Sequence, residues 1–155
     1  MNALIPFIRG SLFRVPTVLK AVIRIAVATL LLTSLAVPAL AGQFEDELLV
    51  LINRYRASRK LKPLVSSPAC SELAREHSLA MLEHQRMSHD GADDRFKRSG
   101  ASSCVENVGW NHETPQSLFT GWKESPGHNR NMLERKISMA GISKSGAYVT
   151  FFACY

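Results

Sequence analysis

What this sequence is missing narrows its chemistry before any residue is singled out. It has no Gly-x-Ser-x-Gly elbow, the sharp turn that exposes an activated serine. It has no His-Glu-x-x-His, which sets two imidazoles one helical turn apart for zinc. Neither a phosphate-cradling glycine loop nor a glycosidase-like pair of carboxylates is present. Nothing repeats, no low-complexity tract or internal linker divides the chain, and no apolar run reaches the roughly 20 residues of a membrane-spanning helix. Cysteine is scarce, with three in 155 residues.

The longest apolar run, Ile25 to Val37, has a different context. Arg9, Arg14, Lys20 and Arg24 precede it and Pro38-Ala39-Leu40-Ala41 follows, the small-x-small pattern of a signal-peptidase site. This predicts a secretory signal peptide over residues 1–41, with an uncleaved signal anchor as the alternative, and a folded domain over 42–155. No lipobox cysteine lies near the cut. The expected location is outside the cytoplasm, extracellular or periplasmic. Four of the 19 Lys and Arg residues fall in the leader, leaving 15 against 13 Asp and Glu in the mature chain, a net charge of +2. The high whole-chain pI is therefore no argument for a nucleic-acid partner, and none is expected. The cluster Arg54, Arg56, Arg59, Lys60 and Lys62 reads as a solvated helix face and loop. A monomer with no stable membrane span is expected.

A domain of this size buries a modest core, which a disulfide would reinforce. Cys70 shares a helical face with Ala74, His77 and Met81, so it is expected as a buried thiol, a poor nucleophile. Cys104 and Cys154 are left to form a bridge, tying the segment around Glu106 to the last strand in an oxidising compartment.

Helical spacing of Phe44, Leu48, Leu51, Ile52 and Tyr55 predicts a first helix over 44–58, broken at Leu61-Lys-Pro-Leu64. A second opens at Ser66-Ser67-Pro68 and runs to about Gln85, with Cys70, Leu73, Ala74, His77, Ala80 and Met81 inward. His77 and His84 read as a core-edge and a surface histidine. A loop and one short helix fill 90–100, and an extended segment follows over 104–110. Thr114-Pro115 starts a third helix carrying Leu118, Phe119 and Trp122. One or two helical turns from His128 lead to a hairpin of two strands, 137–143 and 147–154, around Lys144-Ser-Gly146. Helices first and strands last predict an α+β fold with helices on a small antiparallel sheet.

The chemistry centres on three residues. Ser125-Pro126-Gly127 can aim His128 sharply, and His89 and Glu106 lie upstream. Imidazoles ligate borderline metals or act as bases, and a carboxylate can orient an imidazole, ligate beside it or take a proton from water. Spacing alone leaves both a metal or polar functional site and a structural hydrogen-bond network open. A Ser125/His128/Glu106 triad is the weakest reading, because Ser125 precedes a proline in a loop. Trp110 and Trp122 read as core or cleft wall.

Four segments together carry a resemblance: Ile52-Asn-Arg-Tyr-Arg56, Met87-Ser-His89, Glu106-Asn-Val108 and Trp122-x-x-Ser-Pro-Gly-His128-x-x-Asn-Met132. In this order they resemble the signatures of the CAP superfamily, which comprises cysteine-rich secretory proteins, antigen 5 and pathogenesis-related-1 proteins, or SCP domains. The Ser-Pro-Gly-His form resembles the bacterial branch. The resemblance implies a three-layer α-β-α sandwich with a central cleft, lined by two histidines and two acidic residues that hold a divalent ion in some members. His89, Glu106 and His128 match three of those positions. The fourth falls on Ser125, beside Glu124, so the set has one fewer anionic ligand. Cys104 matches a position where many secreted members carry a bridged cysteine.

The functional expectation is a secreted module whose cleft, built from His89, Glu106, Ser125 and His128, binds a divalent cation and a small apolar or peptide ligand. Zinc is the expected cation, with His89 and His128 as ligands. Two alternatives remain: a metal-assisted, peptidase-like hydrolase with Glu106 as general base, and a purely structural interaction module.

Overall fold

The computed structural model describes residues 42–155. The leader and its cleavage site lie outside the described residues. Helix α1, Gln43–Ser58, carries Glu45 and Asp46 in its first turn, where the helix dipole favours acid, and buries Leu48, Ile52, Tyr55 and Arg56. A two-residue strand β1, Val65–Ser66, precedes α2, Pro68–Glu83. The Ser67 hydroxyl accepts from the Cys70 amide to cap α2, as its sequence predicts. Short helix α3 spans Ala92–Arg98 and strand β2 spans Cys104–Trp110. Helices α4, Pro115–Glu124, and α5, Pro126–Met132, meet at Ser125, and Thr114 caps α4 through the Ser117 amide. Strands β3, Met139–Ser145, and β4, Tyr148–Cys154, close the fold.

The four strands form one sheet in the order β1-β3-β4-β2. β4 is fully buried and antiparallel to both neighbours, while β1 joins β3 in parallel. The sheet is therefore mixed, not wholly antiparallel as expected. The reason is local: Asn53 of α1 bonds both the amide and the carbonyl of Leu64, fixing the chain in extended form beside β3. Hydrophobic alternation cannot reveal a strand of two residues.

Alternation along β4 sends Val149, Phe151 and Ala153 to one face, against Leu48, Ile52, Leu118, Trp122 and Met132 of α1, α4 and α5. Phe152 and Cys154 face Cys70, Leu73 and Ala74 of α2, with Phe96 of α3. Each fully buried phenylalanine contributes about 1.5–3 kcal/mol of transfer free energy. The result is the expected α+β, α-β-α sandwich. The layers approach closely because Gly141 lacks a Cβ, which would stand 2.0 Å from the Ser71 amide nitrogen. Gly146 turns the β3–β4 hairpin at φ +57°, a conformation side chains disfavour.

Cys104 and Cys154 form the predicted disulfide between β2 and β4, and Cys70 is a buried free thiol. The basic cluster does not behave as one solvated face. Arg56 is buried, and its guanidinium donates to the carbonyls of Lys62, Met132 and Glu134 at 2.8–2.9 Å. Buried main-chain carbonyls need donors, and one forked cation meets three of them where two loops converge.

Candidate functional site

Edge strand β2 carries the centre of the site. Glu106 projects from it toward the α2–α3 layer and is buried. Two cationic or polar groups engage its carboxylate. The Arg95 guanidinium of α3 grips both oxygens, Nε to Oε2 at 2.7 Å and a terminal nitrogen to Oε1 at 2.8 Å. His89 donates from Nδ1 to Oε1 at 2.8 Å, which fixes its tautomer and leaves Nε2 with its lone pair outward. The His89 side chain is 51% exposed, so one nitrogen is tethered and the other meets solvent. Arg95 also donates to the Asp90 carbonyl, holding the loop that carries His89.

His77, on α2, lies beneath this pair. Its Nε2 is 2.7 Å from the Ser88 carbonyl and 3.8 Å from Glu106 Oε1. Because a carbonyl only accepts, Nε2 carries the proton. Burial holds the His77 imidazole below its ordinary value, with the Glu106 charge opposing. It is the expected core-edge histidine, and it supports the site from below.

His128 reaches the same edge from the opposite layer. The Asn107 amide donates to the His128 carbonyl at 3.0 Å, and Asn131 donates to the Glu106 carbonyl and to Asn107 Oδ1, both at 2.9 Å. These two asparagines staple α5 onto β2 and so hold His128 against the strand that carries Glu106. The His128 ring lies 6.2 Å from that of Trp122, whose indole donates to the Val108 carbonyl. Burial first, and then repulsion from the His89 ring whenever that ring is protonated, holds His128 below the ordinary imidazole value. A groove of about 190 Å³ opens beside it, walled by Met87, Val108, Trp110, Leu118 and Trp122. Trp110 is 54% exposed and Trp122 is buried, a cleft wall and a core residue respectively.

Of the four residues expected to line the cleft, His89 and Glu106 are therefore in direct contact. His128 joins them through its main chain, by way of Asn107. Ser125 sits half-buried at the α4–α5 junction, its amide bonded to the Gly121 carbonyl and its carbonyl to the Asn129 amide. Its hydroxyl caps neither helix, and Glu124 is exposed. Arg95 was not singled out by its sequence. A buried carboxylate demands a cation, but Arg86, Arg95, Lys97 and Arg98 are equivalent candidates until α3 is seen to pack through Phe96 on Phe152. Among the described residues, no three His, Cys, Asp or Glu side chains group as a metal-binding set. No helix among them is long and apolar enough to cross a membrane.

Comparison with known proteins adds relatives to this geometry. The chain is 27% identical over 117 residues to the uncharacterized protein YkwD of Bacillus subtilis, covering 71% of this chain and 46% of that protein. Among solved structures it is similar to an extracellular protein containing a SCP domain from Bacillus anthracis (22% identity, TM-score 0.69, 74% of this chain and 41% of that one). It also resembles a cysteine-rich secretory protein from Staphylococcus aureus (17%, TM-score 0.68, 76% and 40%). An outer surface protein from Borrelia burgdorferi superposes at TM-score 0.64 with 16% identity, over 70% of this chain and 90% of that one. At these identities the structural likenesses establish the fold. The chain spans about half the length of the curated relative it matches. The model of the CAP family, the cysteine-rich secretory protein family, matches residues 49–155, and with the helices, sheet and edge-strand site it covers, this chain belongs to that family.

Proposed function

We propose that this chain is an exported binding module whose His89/His128 edge takes a divalent cation and whose adjoining groove takes a small apolar or peptide group. The observation that carries this reading is the engagement of Glu106: both carboxylate oxygens are held, by Arg95 and by His89. A carboxylate so held orients an imidazole well and is badly placed to take a proton from water. The donors that remain are imidazole nitrogens. They fit a two-histidine site for zinc, His89 through Nε2 together with His128, with Glu106 behind His89 and outside the coordination sphere. Ser125 contributes no anionic ligand, so affinity is modest. When bound, the cation supplies a positive, Lewis-acidic centre beside the groove. Its apolar walls match a small apolar group or a peptide side chain.

Export rests on the leader pattern and on the Cys104–Cys154 bridge, which suits an oxidising compartment. Two of the structural neighbours are described as extracellular or outer-surface proteins. Intact mass of the exported protein tests the cut after Ala41.

Calorimetric titration of zinc into the protein tests the site. Parent protein is expected to bind, with at least a tenfold loss in His89→Ala and in His128→Ala. A parent with no heat of binding removes the cation from the account. Turnover of a peptide and ester panel that disappears in Glu106→Gln would replace binding with hydrolysis.

A further inference from the structure

We propose a second binding site in this chain, a basic groove at the end of the sheet where β2 begins and β4 finishes, which accepts an extended acidic peptide segment. The groove measures about 870 Å³. One wall is the loop after α1, with Lys60 and Lys62; another is the loop before β3, with Arg135 and Lys136. All four cations are exposed. Between them lie Pro63, Val65 and Tyr155, of which Val65 and Tyr155 are 65% and 66% exposed.

The walls are held in place from beneath. Arg56 ties the two basic loops together through the carbonyls of Lys62, Met132 and Glu134. The remaining side is pinned by the disulfide, since Ser103 and Tyr155 flank the bridged cysteines and the Tyr155 amide donates to the Ser103 carbonyl. The Glu134 carboxylate is turned back onto the Lys136 amide at 2.9 Å, so among the described residues the one other anion at the groove is the main-chain carboxylate of Tyr155, set against four cations.

Charge and spacing select the occupant. Four cations on two walls, with an apolar strip between them, complement a ligand carrying several anions spaced along an apolar-bearing backbone. An extended peptide with acidic and apolar side chains in turn offers both kinds along one backbone, acids to a cationic wall and apolar groups to the strip beside it. A lone small anion would leave most of the cations unused. The leader, with four basic residues and no acidic one, has the wrong sign to fill the groove.

The test is fluorescence anisotropy of a labelled eight-residue peptide alternating glutamate and valine, with the disulfide-intact protein. Binding is expected in low salt. It should weaken at least tenfold in the double variant Lys62→Glu/Lys136→Glu and at least fivefold on raising salt from 50 to 500 mM, a range in which exposed charges are strongly screened. Both substituted lysines are exposed, and an unchanged thermal midpoint checks folding. The His89→Ala/His128→Ala variant should bind the peptide like the parent, which separates this site from the zinc site. Absence of binding, indifference to the double charge reversal, equal binding of a lysine–valine peptide, or displacement by inorganic phosphate or by anionic phospholipid vesicles in preference to the peptide would each overturn the proposal.

Discussion

Two arginines are buried among the described residues, and they are satisfied in opposite ways. Arg95 meets a carboxylate, so its charge and that of Glu106 are matched at 2.7–2.8 Å. Arg56 meets neutral carbonyls of two loops. Burial pulls the Arg56 pKa down, with the charge of Glu134 opposing. The first arrangement fixes the Glu106 carboxylate within the candidate site. The second ties together the two loops that carry four exposed cations and shapes the groove between them. Residues of one type thus do different work because their partners differ, which burial alone does not disclose.

The largest expected effect lies at the matched pair. Arg95→Met strands the Glu106 charge against His89 and should cost about 3–5 kcal/mol in urea denaturation. Adding Glu106→Gln should recover at least about 1 kcal/mol of that loss, and strict additivity would mean the two do not act as a unit. Arg56→Met leaves buried carbonyls without donors and should cost about 2–4 kcal/mol. Here Glu134→Gln should show coupling below about 0.5 kcal/mol, since that carboxylate is not a hydrogen-bond partner of Arg56. A larger coupling would erase the distinction between the two arginines.

The smallest effect is the pH response at His77. Its folded pKa is lowered by burial, so on acidification the unfolded chain takes up the proton first, at about 6.5, and the folded chain resists. Its contribution is thus intact above about pH 6.5 and is lost as pH falls below it, with a slope of at most about 1.4 kcal/mol per pH unit. His77→Gln should flatten the stability profile between pH 5 and 6.5. An unchanged slope would place the titration elsewhere.

Much of this could be read in advance where a signal is local. Thr114-Pro115 and Ser67-Pro68 mark helix starts because hydroxyl caps and proline at the first turn act within three residues. Ile52-Asn-Arg-Tyr-Arg56 could be quoted as a signature before its logic was visible. In the fold, Ile52 enters the core, Asn53 fixes Leu64, Tyr55 bonds Asn129 and Arg56 staples two loops. The partners of those side chains lie up to 81 positions away, beyond any periodicity. For the same reason β1, the role of Arg95 and the basic groove were not legible.

By itself, the sequence determined the helices, the hairpin, the bridged cysteines and the family, because caps, turns, alternation and short motifs are encoded by neighbouring residues. The tertiary structure alone decided that Glu106 is held by Arg95, that His128 is brought to the edge of β2 by Asn107 and Asn131, and that Lys60 and Lys62 face Arg135 and Lys136 across one groove. Each of these depends on which charges and dipoles share a buried or confined space, and that is settled only when distant segments pack.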